Sequence, residues 1–424
     1  MRDEAFFLGE IHKALMPSTG CTEPVAIALN TATARKHARG ALKHLTLTLD
    51  AYLYKNAMGV GIPGSDERGV ALCAAMGVTA GDADAQLRVL DRVTPQALKD
   101  AKQMVFDGRV TVKTRGDVPD LFVESVLETE EECVRVLTLS AHTNIVRVDH
   151  APFEPYVPPC GASAEHPIRD CTLGEMIAFA DAVPAERLAF LQDGIDMNLA
   201  VAQEGRKFGL GLALGTLIDQ GVIGRSPVSA AQLLCASASY ARMSGVSMPV
   251  MTATGSGNQG ITLLLTLEAV ARERGVDPEK KLRAAALANL VNIYVKSFTG
   301  TLSAVCACGV ASGLGASVGV VYMLGGGEQQ MLGAMQNILG SISGMICDGA
   351  KEGCANKVEL SSGLAVQAAF LAMQGMSIGK SDGILASDLR TLFEHLGQLV
   401  QEGMCETNRV IVDIMQGTAT CREL

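Results

Sequence analysis

Ser297-Phe298-Thr299-Gly300-Thr301-Leu302-Ser303-Ala304-Val305-Cys306-Ala307-Cys308-Gly309 opens a run, 297–327, that carries no charged side chain. A stretch of that length is enough to span a bilayer, so its reading decides the fold. Ser303, Cys306, Cys308, Ser312 and Ser317 dilute its apolar character. Gly300, Gly309, Gly313, Gly315 and Gly319 make it a poor lipid-facing helix. The rest of the chain offers no series of comparable spans. The pattern therefore predicts a fully buried central helix over 302–322. A membrane transporter is the alternative, and it predicts partition with membranes.

Outward from this run the pattern stays helical. Helices are expected near 172–181, 184–191, 194–205, 209–220, 228–243, 258–274 and 279–296, and beyond it near 329–342, 362–374 and 386–416. A Pro-rich stretch, 151–170, with Pro152, Pro155, Pro158, Pro159 and Pro167, reads as a linker. Before it the period changes. Leu45, Leu47 and Leu49 alternate with Thr46, Thr48 and Asp50, a strand signature. A Gly/Pro loop follows over 55–64, then helices near 67–77 and 94–106, then strands over 110–113, 121–128 and 133–149. At the start, Phe6, Phe7, Ile11 and Leu15 fit a short amphipathic helix. Residues 18–24 read as a turn, and Pro24 opens a second helix. The expected fold is α+β. Helices in 1–43 pack on the helical lobe, 44–150 forms a small α/β lobe, 151–170 links, and 171–424 forms a larger helical lobe.

Composition narrows the class. Hydrophobic residues make up 48% of the 424 residues but aromatics only 4%, without Trp. The core must be built from Ala, Leu, Val, Ile and Met. A net charge of -10 leaves no basic footprint for nucleic acid. Residues 1–16, with Arg2, Asp3, Glu4 and Glu10, do not form a signal peptide. A cytoplasmic setting and reduced thiols are expected for the 12 Cys. Cys73, Cys133, Cys235 and Cys405 read as small hydrophobes.

Four other Cys sit in unusual settings. Cys21 lies in Gly20-Cys21-Thr22-Glu23-Pro24, at a helix start. Cys306 lies in the charge-free run. Cys347 and Cys354 lie on a loop punctuated by Gly344, Gly349 and Gly353. A metal cluster needs thiolates gathered from loops or helix ends, with backbone amides to stabilise the sulfur charge. Spacing alone leaves both readings open, since it is neither a CxxC pair nor a ferredoxin run. The run Gly255 to Gly260 lacks the Gly-Lys-Ser/Thr ending of a phosphate loop. No segment supplies the lysine and phosphate cup of a pyridoxal-phosphate enzyme.

Taken together these segments resemble the L-cysteine desulfidase family of serine-dehydratase-like iron–sulfur lyases. The likeness runs end to end. It is carried by Gly20 to Pro24, Lys55-Asn56 with Ile62-Pro63-Gly64, His142-Thr143-Asn144-Ile145-Val146, Gly255 to Thr262, Leu302 to Cys306, and Ser343 to Ala350. The helical half also looks like the α portion of iron–sulfur L-serine dehydratases. There one helical Cys and two on a Cys-Asp-Pro loop hold the cluster, and they fall on Cys306, Cys347 and Cys354. Here Gly349 follows Asp348, the loop is shorter, and the dehydratases' Ser-His-Thr signature is absent. The resemblance implies a [4Fe-4S] cluster with one open iron, held by Cys306, Cys347 and Cys354, with Cys21 as ligand or beside that iron. It implies elimination of sulfide from L-cysteine to give pyruvate and ammonia, with dehydration of L-serine as the runner-up. A helix dipole at Cys21 would favour a thiolate there. His142 is the first choice of base, and its competing role is a plain hydrogen-bonded histidine at a strand end. Lys55 is a second base or a carboxylate partner. Thr22, Glu23, Asn56, Thr143, Asn144, Ser256, Asn258 and Gln259 are expected around the substrate, Glu23 toward its ammonium. Gly-rich helices and a cofactor between lobes are compatible with a homodimer.

Overall fold

A computed structural model describes residues 2–419 except 63, 64, 66, 159–164 and 380. Pro63, Gly64 and Pro159 of the segments above lie outside the described residues. The fold is α+β, with a small sheet and a larger helical body.

The sheet is built from strands whose alternation the leucines announce. Seven strands are described: β1 (Pro17–Thr19), β2 (Leu42–Asp50), β3 (Val110–Arg115), β4 (Phe122–Thr129), β5 (Cys133–Leu139), β6 (Ile145–His150) and β7 (Pro249–Met251). Five of them form one sheet in the order β3-β2-β4-β5-β6. Only β2 and β3 run parallel. Leu45, Leu47 and Leu49 of β2 are fully buried, as a period of two requires for one covered face. The helix Thr22–His37 lies on β4 and β5. Asn30 in it donates to the carbonyls of Val123 and Val136 and to Thr138 Oγ1.

The charge-free run is not one helix. The helix Pro278–Thr299 ends at Gly300, whose φ of +83° breaks the turn. Residues 301–309 are irregular, and the next helix, Val310–Met323, has 14 residues. At 1.5 Å per residue that is about 21 Å, short of a hydrocarbon core. It is buried along its length except at Tyr322. Four long helices surround it: Gly257–Arg274, Pro278–Thr299, Glu328–Ile342 and Cys354–Met373. The central buried helix is therefore present but starts later than expected. Among the described residues no helix is long and apolar enough to cross a membrane.

Other departures bear on the site. The helix Thr22–His37, expected with the helical body, joins the sheet's core through Val25, Ile27 and Leu29, whereas Phe7, Leu8 and Ile11 of the first helix join the helical core. Residues 18 and 19 are not turn but part of β1, which pairs antiparallel with β7. Residues 55–58 are not loop but the end of the helix Ala51–Met58, capped by Asp50 Oδ1 accepting from Tyr52 and Leu53. The stretch 133–149 breaks at a hairpin where Ser140 takes φ +65°. Cys354 is not in the loop; it heads the helix Cys354–Met373. Cys405, read as a core hydrophobe, is exposed at the start of the helix Cys405–Ala419.

Candidate active site

Backbone pairing brings the central thiols together. Val305 and Ile346 form an isolated antiparallel bridge. Around it Cys306 N donates to the Met345 carbonyl (2.8 Å) and Cys347 N to the Ala304 carbonyl (2.7 Å). Two thiols 41 positions apart thus hang from one bridge. Cys354 arrives at the start of its helix. Cys21 arrives from the N-terminus because β1 is stitched to β7, and it takes the N-cap position of the helix Thr22–His37. Cys21, Cys306, Cys308, Cys347 and Cys354 line one inner cavity.

Four helix N-termini contribute to that lining: Cys21, Ser256, Cys308 and Cys354 each stand at or just before a helix start. Free N–H groups and the positive end of the helix dipole favour an anionic occupant. Among the described residues, no three His, Cys, Asp or Glu side chains converge as a single metal ion requires. The thiols that line the cavity come from separate segments of the chain. That suits a cluster, whose irons each take their own thiolate.

Three polar groups, Glu23, Asn56 and His142, come from the sheet side. His142 stands at the β5–β6 hairpin tip, is 6% exposed, and its Nε2 finds no partner among the described residues. Its ring lies over Gly255, where a Cβ would stand 2.8 Å from Nδ1 and φ is +79°. Only glycine fits that approach. Glu23 is held by three donors: the Cys21 thiol (2.9 Å) and Thr22 hydroxyl (3.0 Å) on Oε2, and Asn56 Nδ2 (3.0 Å) on Oε1. A larger pocket of about 280 Å³ adjoins the inner cavity and shares His142, Thr254, Gly255, Lys296 and Thr301 with it.

The electrostatics set Cys306 apart from the other thiols. Cys306 is drawn down to about 6, chiefly because the Cys308 thiol donates to it, with help from the Gly309 amide. Burial pushes Cys73 and Cys235 up to about 12 and Cys354 to about 11. Burial and the Glu23 carboxylate push Cys21 far above the usual thiol range, against the helix-dipole expectation of a thiolate there. Burial would also raise Glu23, but His142, Cys21 and Arg242 together hold it low. Burial lowers His142 below the usual imidazole value, against the pull of Glu23.

Ten of the expected residues line the inner cavity: Cys21, Glu23, Asn56, His142, Ser256, Asn258, Gln259, Cys306, Cys347 and Cys354. Four lie elsewhere. Thr22 is buried beneath Glu23. Thr143 lines the larger pocket, and Asn144 is exposed with its amide on the Leu139 carbonyl. Lys55 donates to the Cys347 carbonyl and to Asn408 Oδ1, both at 2.6 Å, and so braces the thiol loop. Sequence reasoning missed Cys308, Arg242 and Lys296 as lining groups. Burial draws Lys296 down to about 8, and its Nζ donates to the Thr301 carbonyl (2.9 Å). The charge of Arg242 inside an otherwise small and apolar helix was the one available signal.

Comparison with known proteins agrees with this architecture. Residues 84–413 match the serine dehydratase alpha chain. A UPF0597 protein of Desulfatibacillum aliphaticivorans is 37% identical over 417 residues, 94% of this chain and 95% of that one. Another, from Alkaliphilus metalliredigens, is 36% identical over 420 residues, 96% and 94% of the two chains. A third, from Clostridium tetani, is 33% identical over 420 residues, 98% and 99%. The chain belongs to the serine dehydratase alpha-chain family. Cys21, Glu23 and Asn56 precede the matched span, whereas Cys306, Cys347, Cys354 and His142 fall inside it.

Proposed function

We propose that this protein is a carbon–sulfur lyase, an L-cysteine desulfidase that converts L-cysteine to pyruvate, ammonia and hydrogen sulfide with a [4Fe-4S] cluster. The observation that carries the reading is the inner cavity itself: Cys21 and Cys354 at helix N-termini and Cys306 and Cys347 on their backbone bridge line it together, with a His142 Nε2 that has no partner among the described residues. Cys306, Cys347 and Cys354 would hold the cluster, and Cys21 would stand at its fourth corner. When bound, such a cluster supplies a Lewis-acidic iron that suits a soft sulfur leaving group.

The chain's own groups would handle the rest. L-cysteine would enter through the larger pocket past His142. The neutral His142 Nε2 would take the Cα proton, a task suited to an imidazole kept uncharged by burial. Glu23, kept ionised, would face the substrate ammonium. Sulfide leaves from Cβ as the Cα–Cβ double bond forms, and aminoacrylate remains. It tautomerises to the imine, which water hydrolyses to pyruvate and ammonia.

Dehydration of L-serine is the second reading, favoured by the family's name. One experiment separates the two. Anaerobically purified protein should be brown, carry about four irons per chain, and release sulfide from L-cysteine faster than pyruvate appears from L-serine. Colourless protein that releases sulfide at full rate would sink the cluster. Faster turnover of serine would replace the substrate.

A further inference from the structure

Arg242 is the cation that this scheme leaves unused. It lies in the helix Pro227–Met243 and is 2% exposed. A buried charge is unfavourable unless it is paired and hydrogen-bonded. Its Nε donates to the Gly20 carbonyl (3.0 Å) and its Nη1 to Asn258 Oδ1 (3.1 Å). Its Nη2 has no partner among the described residues, although the side chain lines the inner cavity. Gly257 keeps the space for it: a Cβ there would stand 2.3 Å from Nε. The carboxylate of Glu23 already accepts from Cys21, Thr22 and Asn56 and makes no hydrogen bond to the guanidinium. A rigid, fork-shaped cation with a free nitrogen at a cavity wall matches a planar anion with two oxygens. Lys296, the other buried cation of the lining, is a point charge already donating to Thr301.

We infer that Arg242 is the carboxylate anchor of the site, so that the cavity selects free α-amino acids over their amides. The inference rests on the lyase reading and deepens it by naming the feature of the substrate that is recognised. Asn258, expected around the substrate, becomes a positioning residue that orients the guanidinium by accepting from Nη1.

The test uses non-reactive ligands, because L-alanine and L-alaninamide lack a leaving group. Their affinities for the anaerobically purified protein are measured by calorimetry. Charge-assisted hydrogen bonds predict that L-alanine binds about 10- to 100-fold more tightly than the amide. In Arg242→Gln the ratio should fall to within about threefold, with the iron content of the parent. Asn258→Ala should lose part of the preference and serves if Arg242→Gln does not fold. Equal binding of the two ligands by the parent protein would overturn the anchor. So would a preference kept in Arg242→Gln and lost in Lys296→Met. A parent that prefers L-alanine yet releases no sulfide from L-cysteine would remove the desulfidase reading and leave the anchor standing. Sulfide release with an unchanged preference in Arg242→Gln would do the reverse.

Discussion

Cys306 and Cys347 are held at the cavity by backbone, whereas Glu23, Asn56 and His142 are held there by side chains and a hairpin tip. The bridge between Val305 and Ile346 needs no particular side chain to position the thiols. The polar group depends on a chain of donors on Glu23 and on the gap left by Gly255. The first region lies within the span shared with the serine dehydratase alpha chain, and the helices carrying Glu23 and Asn56 lie before it. On the proposed reading, the difference teaches that holding the cluster and handling the substrate should fail separately.

The largest effect should follow from removing the backbone-held thiols. Cys306→Ala and Cys347→Ala should lose iron and sulfide release together, measured by iron analysis and sulfide assay on anaerobic protein. Retained iron in either variant would break the division. Cys21→Ala sharpens it, because Cys21 bonds to Glu23 and enters from the N-terminus. It should keep most of the iron and lose most of the activity. A colourless Cys21→Ala with a brown, active Cys354→Ala would exchange the roles of those two thiols.

His142→Gln should leave iron unchanged and lower kcat by about 10²- to 10⁴-fold, the range for a lost general base. Gly255→Ala acts on the same ring from outside it. The new Cβ meets His142 Nδ1 and a positive φ, so kcat should fall by about 10- to 100-fold through displacement. A Gly255→Ala enzyme as fast as its parent would show that the ring's position does not matter.

The smallest effect lies in the sheet lobe and touches stability alone. Burial lifts the Asp50 carboxyl from 3.8 to about 6, against the amides of Phe122, Leu53 and Tyr52. Unfolded, it titrates near 3.8. Between those values the folded chain binds more protons, so folding stability from this group falls as pH rises from about 4 to 6. Above that window the loss is complete, at about 3 kcal/mol. Urea midpoints at acid and neutral pH should show this slope in the parent and a flatter one in Asp50→Asn. Identical slopes would remove Asp50 as its source.

Much of the site was legible in the chain. Cys21, Cys306, Cys347 and Cys354 stood out by their glycine-rich or charge-free surroundings, and β2 by its alternating leucines. Local pattern also placed helices near 228–243, 258–274 and 279–296, because a period of 3.6 is a property of neighbours in sequence. It misread 302–309 as helix, since small apolar residues fit a helix and an irregular buried segment alike. Only the tertiary structure decided that the helix Thr22–His37 serves the sheet, that Lys55 braces the Cys347 loop, and that Arg242 reaches the cavity. Each depends on contacts between segments far apart in the chain, such as Gly20 with Arg242 or Lys55 with Cys347. Such contacts leave no periodicity behind, so they are set by packing and are invisible in a linear reading.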